Sequence, residues 1–169
     1  MASPDGGLIA PLAAAVRAGV GPADTAVVAL GGGADSACLL AAARDGLGTG
    51  VTGLFVHHGL EHSAALADAA LRLGDTLGLP VEIVEAPVED GPDLERRARD
   101  ARYAAIDATV DSGTPVLTGH TLDDQAETVL MRFADGSGST GLSGIPSLRG
   151  RWVRPLLLFT RSELREIAD

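Results

Sequence analysis

Short apolar runs alternating with helix-period segments constrain this chain more than any other feature of its sequence. Residues 25–30 (TAVVAL), 51–56 (VTGLFV), 81–86 (VEIVEA) and 115–119 (PVLTG) read as strands, each too short for a buried helix. Between them, residues 34–44, 63–77, 94–110 and 123–133 read as helices. Leu66, Ala70, Leu73 and Leu77 share one face of the second, while Pro92 and Gly113 bracket the third. Strand–helix alternation with short connections predicts an α/β domain, a parallel sheet with helices on both faces. Residues 1–169 are read as one such domain, with 1–23 as an N-terminal leader and helix. Residues 152–158 predict a last strand, and 162–168 the start of a helix with Ser162 as N-cap. The chain stops inside that helix without a C-cap, which reads as a truncation. Residues 136–150, rich in Gly and Ser, read as a mobile loop.

Composition narrows the function classes. A hydrophobic share of 46% excludes a disordered chain, and the aromatic share of 3% leaves small side chains to pack helix on sheet. Cys38 is the single cysteine, so neither an internal disulfide nor a cysteine metal centre can form, in keeping with a cytoplasmic location. No signal peptide and no run of membrane-spanning length is readable, so no membrane partner is expected. The net charge of −10 argues against gripping nucleic acid over a wide surface and leaves room only for a local basic patch.

Ligands of parallel sheets bind beyond the carboxyl ends of the strands. The first such position holds Gly31, Gly32, Gly33, Ala34, Asp35 and Ser36. Glycines there let backbone N–H groups reach an anion, and the following helix adds donors and partial positive charge. Ser36 offers a hydroxyl to a phosphate oxygen. Asp35 would repel a phosphate and makes sense with Mg²⁺ between them. The Lys-Ser/Thr ending of a Walker A loop is absent, as is GxGxxG. The fourth strand is followed by His120, Thr121, Leu122, Asp123, Asp124, Gln125, Ala126, Glu127 and Thr128. Thr121 is a natural N-cap, and acidic residues in a first turn suit the helix dipole. Three carboxylates within about one turn also call for a cation, either a metal or an ammonium group.

Gly32, Gly33, Asp35 and Ser36 resemble the SGGxDS loop of the PP-loop ATP pyrophosphatases. The run HTxDDQAETVLxR, followed by Gly136-Ser137-Gly138, is similar to the signature of the tRNA(Ile)-lysidine synthetases within that group. His58-Gly59-Leu60 with Ser63, Leu94-Glu95 with Ala98-Arg99 and Arg102-Tyr103, and Arg154-Pro155-Leu156-Leu157 extend the resemblance over residues 24–167. It implies the PP-loop fold (adenine nucleotide alpha hydrolase-like), ATP and Mg²⁺ as cofactors, tRNA(Ile) and free L-lysine as substrates, and allows a homodimer. The implied reaction has two steps. The 2-oxygen of the wobble cytidine attacks the α-phosphate and releases pyrophosphate; the ε-amine of lysine then attacks C2 and displaces AMP. On this reading the loop 31–36, His58 and His120 hold the nucleotide, and Asp35 holds Mg²⁺. Asp35, Asp123, Asp124 and Glu127 form the catalytic set, with Arg99, Arg102, Asp124 and Glu127 at the substrates.

The chain departs from the family pattern at four positions. Gly31 stands in place of a serine, His57 of an aspartate, Glu61 of an arginine and Asp135 of an arginine. These changes and the acidic charge keep two alternatives open. One is a non-catalytic nucleotide-binding or interaction domain, degenerate or truncated; the other is a different PP-loop tRNA-modifying enzyme, such as a thiolase.

Overall fold

A computed structural model describes residues 6–134 and 143–168. Asp135 and Gly136-Ser137-Gly138 lie outside the described residues, as does most of the first half of the predicted 136–150 loop. The elements run in the order α1 (Gly6–Val20), β1 (Ala26–Leu30), α2 (Ala34–Leu47), β2 (Val51–His57), α3 (Ser63–Leu77), β3 (Val81–Glu85), α4 (Leu94–Thr109), β4 (Val116–Thr118), α5 (Leu122–Ala134), β5 (Leu148–Arg149), β6 (Trp152–Val153) and α6 (Arg161–Ala168).

The strands form one sheet in the order β3-β2-β1-β4-β6-β5. All neighbours are parallel except β5 and β6, which pair as a short antiparallel hairpin. β1 lies centrally, with Val27 opposite Thr52 on one side and Val116 on the other. It is buried along its whole length, so alternate residues feed opposite layers. Ala26, Val28 and Leu30 join Leu12 and Val16 of α1, Leu39 and Leu40 of α2, Ala67 and Ala70 of α3, and Leu164 of α6. Val27 and Ala29 face the other way, with Leu54, Val56, Val116 and Ile106 of α4. The α/β expectation of helices on both faces therefore holds, with more helices on the first face than on the second.

Three details differ from the sequence reading. The strand expected over 152–158 ends at Val153, because Pro155 has no N–H and cannot extend a ladder. Arg154 instead donates its N–H to Ser147 O, and Phe159 N–H turns back to Leu156 O. The N-cap of α6 is Thr160 rather than Ser162. Glu163 N–H donates to Thr160 Oγ1 at 3.2 Å and Thr160 N–H to Glu163 Oε2 at 2.7 Å, a reciprocal capping box. Third, Leu148–Arg149, inside the predicted 136–150 loop, pairs with β6 as β5. α5 has no fully buried side chain among the described residues, and Leu130, Met131 and Phe133 are exposed.

Candidate nucleotide site

The sheet order reverses between β1 and β4, since the chain passes from β1 outward to β3 and then returns to the far side of β1. Such a switch point opens a crevice at the carboxyl ends of the two strands. The residues that follow β1 and β4 are the glycine loop and the His120 segment, so the two signatures meet there. Gly119 makes the approach tight. A Cβ at that position would lie 3.2 Å from Ser36 N and 3.3 Å from the carbonyl carbon of Asp35. Gly32 is required on two counts: its φ is +79°, and a Cβ would come within 2.6 Å of Leu66 Cδ2. Gly33 caps α2 in extended conformation without a side-chain hydrogen bond, leaving first-turn N–H groups available to a ligand. The Ser36 hydroxyl donates to Gly33 O at 2.9 Å and accepts from Gly31 N–H at 3.2 Å. It thereby closes the loop on itself, and a phosphate oxygen would compete with Gly33 O for that proton.

A cavity of about 280 Å³ occupies this crevice. Gly31, Gly33, Asp35, Ser36, Arg99, Arg102, His120 and Asp124 all line it, together with Tyr103, Gly119 and Trp152. Gly32 and Ala34 turn to the opposite side of the loop, toward Ala70 and Leu73 of α3. His58 lies in a second cavity of about 570 Å³, which shares Gly31 and Arg102 with the first and is walled by Phe55, Leu66, Val88 and Leu94. His58 is buried and donates Nδ1–H to Ala86 O at 3.0 Å. His57, where the family pattern has aspartate, donates Nδ1–H to Glu85 at 2.9 Å across the β2–β3 pair.

The basic wall of the first cavity is unusual for an acidic chain. Among the described residues Arg99 makes side-chain contacts with Tyr103, 5.3 Å from its ring and 3.4 Å from its hydroxyl, and no ion pair. Tyr103 in turn packs on Trp152 at a centroid distance of 4.3 Å. Arg102 makes no hydrogen bond or ion pair among the described residues, and its Nε is buried without a partner. Burial and the charge of Arg99 lower its pKa from the usual arginine value. His120 feels the same field. Burial first, then Arg99 and Arg154, push its pKa down to about 4, so the ring is neutral at pH 7. The Thr118 hydroxyl lies 3.0 Å from its Nδ1. Among the described residues neither guanidinium has a carboxylate partner, and two such groups facing an amide-lined loop have the chemistry to receive a polyanion.

The acidic wall is organised differently from the sequence expectation. Its cation is Arg161, at the start of α6. The guanidinium bonds Asp124, meets Glu127 Oε1 at 3.0 Å and lies 3.6 Å from Asp35 Oδ2. The backbone N–H of Arg161 donates to Asp123 Oδ2 at 2.8 Å. Asp123 and Glu127 thus join the network without lining the cavity, and the Glu127 side chain is 62% exposed. Thr121 caps α5 and fixes Asp124, whose Oδ2 accepts from Thr121 N–H at 2.7 Å and from Oγ1–H at 2.9 Å. Burial opposes ionisation of Asp124 but is outweighed by these bonds and by Arg161, so its pKa is lowered. Asp35 has no such bonds; burial dominates and raises its pKa against the pull of Arg161.

Among the described residues no three His, Cys, Asp or Glu side chains are grouped to hold a metal. Mg²⁺ does not need such a cage, since it takes one or two carboxylates plus phosphate oxygens. Asp35 and Asp124, hard oxygen donors on the cavity wall beside the glycine loop, fit that requirement. Among the described residues no helix is long and apolar enough to cross a membrane.

Comparison with known proteins agrees with the geometry. The family profile described as PP-loop domain matches residues 12–169. The tRNA(Ile)-lysidine synthase of Nocardia farcinica is 45% identical over 149 residues, covering 87% of this chain and 46% of that protein. The enzyme of the same name from Pseudomonas fluorescens is 40% identical over 150 residues, covering 83% of this chain and 34% of that protein. The one from Thermobifida fusca is 43% identical over 150 residues, covering 85% and 46% respectively. The chain therefore spans less than half the length of these curated relatives. Among solved structures, the NH3-dependent NAD synthetase of Campylobacter jejuni superposes with a TM-score of 0.64 at 17% identity, over 98% of this chain and 72% of that one, which speaks to the fold alone. With its glycine loop and HTxDDQAET segment meeting at the switch point of a parallel sheet, the chain belongs to the PP-loop domain family.

Proposed function

We propose that this chain is the ATP-using catalytic domain of a cytoplasmic tRNA(Ile)-lysidine synthase. The observation that carries this reading is that Arg99 and Arg102, without a carboxylate partner among the described residues, face the glycine loop across one cavity in a chain of net charge −10. An acidic protein has abundant carboxylates with which to neutralise arginines. Two left without one beside an amide-rich loop are reserved for phosphate. The relatives at 40–45% identity supply the name of the reaction.

In this reading the loop amides, the Ser36 hydroxyl and Arg102 stabilise charge on the pyrophosphate leaving group as the cytidine 2-oxygen bonds to the α-phosphorus of ATP. Asp35 would hold Mg²⁺, which would supply charge neutralisation at the phosphates. The larger cavity, walled by Phe55, Leu66, Val88 and Leu94, takes the adenine. Neutral His120 remains a hydrogen-bonding group without repelling a cationic substrate. Asp124 and Glu127 receive the ammonium of lysine; a carboxylate of this set takes one of its protons, and the free amine then bonds to C2 as the C2–O bond breaks and AMP departs. A homodimer is compatible with this arrangement.

The test is release of labelled pyrophosphate from ATP with tRNA(Ile) and lysine present. Release that requires the tRNA and vanishes in Asp35→Ala is the expected result. Nucleotide binding without pyrophosphate release under any substrate combination would replace the ligase reading with that of a nucleotide-binding domain. Gly31→Ser adds a second check. A Cβ at position 31 meets only Arg102 Nη1, at 3.8 Å, so the serine fits. One added hydroxyl donor to a charged phosphate should tighten Mg·ATP binding about ten-fold.

A further inference from the structure

We propose that Arg161 is a positioning residue and a resident counter-cation: it holds the acidic wall in order without ligand, and its guanidinium leaves when a substrate cation arrives. The inference rests on the nucleotide-site reading above and concerns a residue outside the signatures that define it. One guanidinium serves Asp35, Asp124 and Glu127, and the backbone N–H of the same residue serves Asp123. Arginine does not lose its proton, so these carboxylates can be freed only by movement of the side chain.

The surroundings favour that movement. The backbone of Arg161 is pinned. Leu164, one turn on, is fully buried, its carbonyl accepts from Cys38 Sγ–H at 3.2 Å, and the Thr160–Glu163 capping box fixes the turn. The side chain is 35% exposed and has solvent to swing into. Its weakest tie is to Asp35, at 3.6 Å, the carboxylate on the glycine loop. After it leaves, the wall keeps its shape: Asp124 remains held by Thr121 N–H and Oγ1–H, and Asp123 by the Arg161 N–H. A divalent ion or an ammonium group would then find preset carboxylates.

Two measurements test this. In the first, Mn²⁺ is titrated by calorimetry into wild type, Arg161→Gln and Arg161→Lys without nucleotide. Removing the resident charge should tighten Mn²⁺ binding about ten-fold in Arg161→Gln, with Arg161→Lys close to wild type. Equal affinity in a folded Arg161→Gln would overturn the proposal. The second measurement needs no variant to fold well. In wild type, the Nε–Hε resonance of Arg161 is followed by NMR during addition of Mg²⁺ with a non-hydrolysable ATP analogue, and separately of L-lysine. A shift toward a solvent-exposed arginine is expected, and the addition that causes it distinguishes metal from ammonium. An unmoved resonance alongside shifted amides at residues 31–36 would overturn the proposal while leaving the ATP site intact. If those amides do not respond either, the nucleotide reading fails, and the Mn²⁺ titration decides the role of Arg161 alone.

Discussion

His120 shows how far one residue's environment can be read from its neighbours. The ring lies among Arg99, Arg102 and Arg154, and its pKa falls to about 4. Because the unfolded chain binds that proton near pH 6.5, the folded state loses stability as pH falls from about 6.5 toward 4 and is unaffected above that window. Discounted for partial exposure, the loss is on the order of 2 kcal/mol. His120→Gln should flatten the urea-denaturation midpoint against pH across this window, and an unchanged slope would contradict the assignment. Gly32 makes a steric prediction. Gly32→Ala sets a positive φ against a Leu66 contact of 2.6 Å and should cost about 1–3 kcal/mol, with loss of nucleotide binding. The sequence pointed to both residues, through the glycine run and the HTxDD run. It did not point to Arg161, because arginine at a helix start carries no local signal, and its partners lie far off in sequence, Asp123, Asp124 and Glu127 on α5 and Asp35 on the glycine loop.

At the scale of elements, the strands were legible wherever β-branched runs stood between glycines and prolines, and two of the loops picked by the carboxyl-end rule line one cavity. Legibility failed where tertiary context decides. The last strand is short because Pro155 breaks the ladder beyond Val153. α5 is legible as a helix, yet none of its side chains is fully buried among the described residues. Two cap-type residues, Thr160 and Ser162, compete at the start of α6, and Glu163 settles the choice for Thr160 through the capping box. Thr160→Ala should therefore destabilise the chain by about 1 kcal/mol in urea unfolding, whereas Ser162→Ala should change it little. Arg151 is a comparable omission. It bonds Val110 O and Asp111 O at 2.7 and 2.8 Å and Asp107 at 2.6 Å, so it closes the carboxyl end of α4 and holds the helix that carries Arg99 and Arg102.

The whole molecule sets an acidic wall and a basic wall on either side of one crevice. β1 and β4 diverge there, Gly119 lets the glycine loop close on the His120 segment, and α4 and α6 deliver arginines of opposite fate. Arg102 has no partner among the described residues, while Arg161 is held by Asp124 and Glu127. In the proposed function the Arg102 side of this crevice binds phosphate. Calorimetric titration of Mg·ATP into wild type, Asp35→Ala and Arg102→Ala tests it most directly. The account predicts saturable binding by wild type, loss of detectable binding in Asp35→Ala, and about ten- to hundred-fold weaker binding in Arg102→Ala at unchanged stability. Wild-type binding left intact by both substitutions, or no binding at all, would contradict it.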